Sequence, residues 1–137
     1  MNGENLQSAL YAKLIGNAPV MAIAKGVFVD IQQPLDAGLD SPFPFITIGQ
    51  DTYTSFDSMS FNGTDATCQI DLWSRQNNLI QIKTLGSAVV DALQYSSLTI
   101  TDAQHVLTQQ ISSTYSSDPD GHTKRGILLF QVLFKRN

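Results

Sequence analysis

The chain has very little with which to cross-link itself or to hold a polyanion. It has one cysteine in 137 residues, Cys68, so an internal disulfide is excluded. That usage fits synthesis in a reducing cytoplasm. Charged residues make up only 15%, with 8 cationic side chains against 12 acidic ones and a formal net charge of −4. The cations never cluster beyond the pairs Lys124-Arg125 and Lys135-Arg136. Electrostatic capture of DNA or RNA needs a basic stripe, so direct nucleic-acid binding is not expected. No uninterrupted apolar run approaches the ~20 residues that span a bilayer. Met1-Asn2-Gly3-Glu4 lacks the basic start of a signal peptide. Gly-x-Gly-x-x-Gly, the Walker-type phosphate loop and the Gly-x-Ser-x-Gly elbow are all missing, which removes the common nucleotide-binding and hydrolase signatures.

What is present is a core. Apolar residues reach 42%, and 137 residues suit one domain (1–137) that buries roughly two thirds of its unfolded surface. Leu6, Ala9, Leu10, Lys13 and Leu14 keep helical spacing, and Gly16-Asn17-Ala18-Pro19 ends that helix. Val20 to Ala24 adds a helical turn, and Val27-Phe28-Val29 reads as a short strand. Residues 30–42 are a loop with Pro34, Gly38 and Pro42. Pro44 to Gly49 is a strand. Residues 50–63 have no clean period and read as a long hairpin or loop. The segment 64–73 alternates: Ala66, Cys68, Ile70 and Leu72 share one face, and Thr67, Gln69, Asp71 and Trp73 the other.

Asn77 or Asn78 is placed to cap a second long helix, whose core stripe is Leu79, Ile82, Leu85, Val89 and Leu93. Three strands follow. Leu98 to Thr101 is short. His105 to Tyr115 is polar on one face and edge-like. Thr123 to Phe134 is apolar on both faces, which belongs in mid-sheet or in an interface. Asp118-Pro119-Asp120-Gly121 has the residues of a type I turn and joins the last two strands as a hairpin. The expected class is α+β: two layers, a mainly antiparallel sheet with two helices packed on one face.

Few side chains announce chemistry. The strand phase of Cys68 makes it a core thiol rather than a nucleophile. His105 and His122, expected to face solvent, have no metal-ligand spacing around them. Asp65 and Asp71 lie on one strand face about 20 Å apart, too far for a glycosidase carboxylate pair. Asp118 and Asp120 lack the remaining ligands of a calcium loop. No catalytic, metal or cofactor site is therefore expected. Large apolar side chains in polar surroundings are the features left to explain. Trp73 either covers the strand–helix joint or anchors a subunit interface, a role in which Trp is enriched. Tyr53, Phe56, Met59 and Phe61 either tuck beneath their loop or present a contact patch. Those five, with Asp120 and His122 at the last hairpin, are the candidate interface residues.

Several short motifs occur in an order that resembles one family. These are Leu6-Gln7-Ser8-Ala9-Leu10-Tyr11, Gly26-Val27-Phe28, Pro34, and Pro42-Phe43-Pro44-Phe45-Ile46-Thr47-Ile48-Gly49. Ile70-Asp71-Leu72-Trp73-Ser74, Asp118-Pro119-Asp120-Gly121, Gly126-Ile127-Leu128 and Phe130-Gln131-Val132 complete the set. Together they resemble the small tail-completion, or tail-terminator, family of long-tailed bacteriophages, over nearly the whole chain. The resemblance implies a virion structural protein and not an enzyme. Its implied partners are other copies of itself in a ring, typically a hexamer, the tail tube protein and a head-side connector protein. DNA would pass through the ring without specific binding, and no membrane is involved. One departure is the polar loop from Asp51 to Gly63, whose contacts the family pattern does not place. Two rival expectations stand beside this one: a different neck component, such as a connector or stopper, and a small-ligand or hydrolytic domain using Cys68 or His105.

Overall fold

The structure is a computed structural model that describes residues 3–24, 26–29, 44–55, 63–75, 79–94, 98, 103–117 and 123–136. Three helices and five strands are present among them: α1 (Gly3–Ile15), α2 (Ala18–Met21), β1 (Val27–Val29), β2 (Phe45–Ser55), β3 (Gly63–Ser74), α3 (Ile80–Leu93), β4 (Ala103–Ser117) and β5 (Lys124–Arg136). The strands form one sheet in the order β1-β2-β3-β5-β4. Every pairing is antiparallel except β1 with β2, which is parallel. The class is α+β, as expected, with the helices packed on one face of the sheet.

The apolar spacing decides that packing. In α1, Leu6, Ala9, Leu10 and Leu14 are buried, one stripe of a 3.6-residue period. The helix ends where Gly16 N–H bonds the Ala12 carbonyl at 3.1 Å. Asn17 then starts α2, its side-chain oxygen accepting from Val20 N–H at 3.1 Å, with Pro19 in the first turn where no donor is needed. In α3, Ile82, Leu85, Val89, Ala92 and Leu93 are buried. These stripes join Ile46, Ile48, Ala66, Cys68, Ile70, Leu72, Leu128, Phe130, Val132 and Phe134 from the sheet in one core cluster.

Several expectations are corrected. Strand β2 runs to Ser55, well past Gly49, and β3 pairs back along it as a hairpin. A bulge between Ile48 and Asp51 hid this extension. Ile48 faces Ile70, but Asp51 faces Cys68, so one extra residue reverses the alternation and turns Asp51 and Tyr53 to the helix side. The residue capping α3 is Leu79, with no side-chain cap bond, whereas Asn77 and Asn78 lie outside the described residues. His105 is half-buried rather than solvent-facing. The strand expected at 98–101 falls mostly on residues that are not described, and Leu98 is a buried core residue.

The last two strands sit where their composition puts them. β5 lies between β3 and β4, and β4 is the edge. One aromatic residue fixes how β4 meets the helix layer. Tyr115 is directly opposite Gly126, and a Cβ on Gly126 would lie 3.0 Å from the Tyr115 ring. A Cβ on Gly86 of α3 would collide with the Tyr115 hydroxyl. The ring therefore occupies space that two glycines leave open, an arrangement that commonly pins register at a strand glycine.

Candidate functional site

The face of the sheet turned away from the helices carries the densest side-chain chemistry in the described molecule. Odd-numbered residues of β3 point to it, and the register with β2 and β5 lines up their neighbours. Phe45, Trp73 and Arg125 form one row across three strands. The Phe45 and Trp73 rings stack with centroids 6.1 Å apart at 15°. The Arg125 guanidinium lies over the Trp73 ring, 4.9 Å from its centroid, a favourable arrangement for a cation on an indole face. Trp73 donates its indole N–H to Thr47 Oγ1 at 3.1 Å. One pleat further on, Arg125 donates to Asp71 Oδ2 at 3.0 Å, and Gln69 donates to Asp71 Oδ1 at 2.9 Å.

This cluster is held firmly within the protomer. Trp73 is only 3% exposed and Phe45 is fully buried. The Trp73 ring is enclosed by its own chain, on the sheet face away from the helices, against Phe45, Thr47 and Arg125. Beside it, Ser74 donates to Gln81 Oε1 of α3 at 2.6 Å and so ties the strand end to the helix start. At the other end of the same face, Gln109 donates to Gln131 Oε1 at 2.7 Å, and Gln131 donates to Asp65 Oδ2 at 2.9 Å. Ile127, Leu129 and Leu133 are half-buried between these polar groups. Sequence spacing did not reveal Arg125 as the partner of both Asp71 and Trp73. Its signal is the β3–β5 register, which places residues 54 positions apart side by side.

The other candidate residues divide. Tyr53 is half-buried, packs against the core cluster and donates its hydroxyl to Asp51 Oδ2 at 2.6 Å. Burial and then the Asp51 hydrogen bond push its pKa up strongly. Tyr53 therefore tucks inward. Phe56, Met59, Phe61, Asp120 and His122 lie outside the described residues.

No catalytic constellation assembles among the described residues. Cys68 is 1% exposed, and burial pushes its thiol from 9.0 up to about 12, the opposite of what a nucleophile needs. His105 bonds Thr108 Oγ1 through Nε2 at 2.6 Å, and burial lowers its pKa. No group of three or more His, Cys, Asp and Glu is placed to hold a metal among the described residues. No described helix is long and apolar enough to cross a membrane.

Comparison with known proteins gives concordant findings. The profile of the family described as Tail completion protein gp17 matches residues 8–135. A Tail completion protein gp17 of Bacillus phage SPP1 is 26% identical over 132 residues, covering 96% of this chain and 93% of its own. Among solved structures, the bacteriophage SPP1 gp17 protein superposes with a TM-score of 0.60 at 27% identity, covering 98% of this chain and 90% of that one. A chain from the virion of a native gene transfer agent particle superposes with a TM-score of 0.81 at 18% identity, covering 95% and 94%. At that identity the likeness is one of fold.

Proposed function

Because the chain belongs to the Tail completion protein gp17 family, and is thus a structural protein of the phage tail and not an enzyme, we propose that it works as a closed ring of copies. The ring, read as a hexamer, sits on the head-proximal end of the tail tube. It stops tube polymerisation there and presents a surface to the head-side connector. The observation that carries this reading is the family match from residue 8 to residue 135.

Physical features support it. Cyclic assembly needs a heterologous interface whose rotation closes, and the sheet ends in two dissimilar edges, β1 with three residues and β4 with fifteen. The rigid cluster around Trp73 keeps the outer face in one shape, which repeated docking requires. Phe56, Met59, Phe61, Asp120 and His122 are the proposed contacts with neighbouring components, with Tyr53 supporting their segment from the core side. An acidic chain with no basic stripe suits a lumen through which DNA slides without sticking.

Light scattering on the protein alone and with purified tail tubes tests the reading. A ring that binds one tube end is the expected result, together with overlong or unjoined tails in particles made without the protein. A strict monomer that never associates with tubes would overturn it. Binding to the connector but never to tubes would instead identify a connector or stopper.

A further inference from the structure

Strand β4 is unusual for an exposed sheet edge. It is fifteen residues long, AQHVLTQQISSTYSS, with no Asp, Glu, Lys or Arg. Its only strand partner among the described residues is β5. Exposed edges usually carry charge, proline or bulges that deter another strand from adding on. The first two thirds of β4 have such bulges, between His105 and Leu107 and between Gln110 and Ser112. They leave Val106 and Ile111 54% and 51% exposed. The Gln110 N–H at the second bulge is taken by Gln94 Oε1 at 3.3 Å.

Beyond that bulge the protection stops. Ser112 to Ser117 pair with Leu129 to Lys124 in unbroken register. Ser112, Ser113, Thr114, Ser116 and Ser117 are all exposed. Tyr115, held between Gly86 and Gly126, fixes this segment against the body of the molecule. The result is an uncharged strand edge in regular register next to an exposed isoleucine.

We propose that Ser112–Ser117, flanked by Ile111, is the edge to which a second copy of this chain adds its backbone. Charge argues for self-association. Each copy carries a net −4, so two copies approach most readily through surfaces with no charge of their own. Main-chain pairing along a Ser/Thr edge gives affinity without a large apolar patch. Strand addition between different surfaces of successive copies is also compatible with rotational closure. The assignment rests on the ring reading above, but it names a surface that the ring reading leaves open.

Amide hydrogen exchange on the assembled and the dissociated protein tests it, in the presence and absence of tail tubes. In the ring, amides of 112–117 should exchange at least about tenfold more slowly than in the free chain. The double variant Ile111→Lys with Thr114→Lys changes only exposed positions and spares the Ser113–Tyr115 hydrogen bond. It should keep its thermal transition and lose the ring. If the wild type forms a ring with no added protection at 112–117, or the double variant still assembles, the edge assignment falls while the ring stands. Protection that appears only when tube protein is bound would give the edge to the tube and overturn self-pairing. A chain that stays monomeric with and without tubes removes the ring reading, and this assignment with it.

Discussion

Residues 129 and 130 are neighbours in β5 that live in different solvents. Phe130 points at the helices and is fully buried, whereas Leu129 points the other way and is half-buried among Gln69, Ser112 and their neighbours. The same contrast runs along the whole sheet. One face is aliphatic and aromatic, packed to a continuous core. The other is a polar ladder that also carries the stacked aromatic pair Phe45 and Trp73. The helix-side face holds the fold together by apolar burial. The outer face buries less apolar surface and so contributes less to stability by this route.

The sharpest attempt to break that division is a pair of truncations. Phe130→Ala should lower unfolding free energy by about 3–5 kcal/mol, read from the denaturant midpoint at unchanged slope. Leu129→Ala should lower it by less than about half as much, because less of its surface leaves water on folding. Equal losses would abolish the distinction.

The next effect probes the link between the helix layer and the edge strand. Gly86→Ala places a methyl against the Tyr115 hydroxyl and should cost about 1–3 kcal/mol by overpacking. Adding Tyr115→Phe should recover part of the loss, and a thermodynamic cycle measures the coupling.

Alkali offers a further probe of the buried face. The Cys68 thiol is raised from 9.0 to about 12 in the folded chain, so its contribution to stability is complete below pH 9. That contribution declines as pH rises toward 12, because the unfolded chain releases its proton first. Tyr53, also raised, acts with the same sign. Cys68→Ala should cost stability at neutral pH yet flatten the decline between pH 9 and 12. A slope unchanged from wild type would contradict the burial of the thiol.

The smallest expected change lies on the outer face. Asp71→Asn removes the charge facing Arg125 and should cost about 1 kcal/mol. The loss should shrink in high salt, because Arg125 is one-third exposed and partly screened. A loss as large as that of Phe130→Ala would make the outer face a second centre of stability.

The sequence was most legible where one period ran unbroken. The stripes of α1 and α3, the alternation of β3, the double-sided apolar run of β5 and the polar edge β4 all appear as read. Legibility failed where local geometry interrupts the pattern. The bulge after Ile48 reverses the phase of β2, so its outer half reads as loop although it is paired strand. The parallel pairing of β1 with β2 leaves no mark on a three-residue strand. Trp73 was visible as a polar-phase aromatic, but its partner Arg125 was not, because only the register of distant strands brings them together. Family membership was legible from the order of short motifs.

The sealed position of Cys68 has an experimental consequence. A reagent for exposed sulfur should find nothing to modify on the native surface, so any cysteine introduced by mutation becomes the single address for a dye, spin probe or photo-crosslinker. Distances from that address can then be measured in the otherwise native chain without first deleting a native residue.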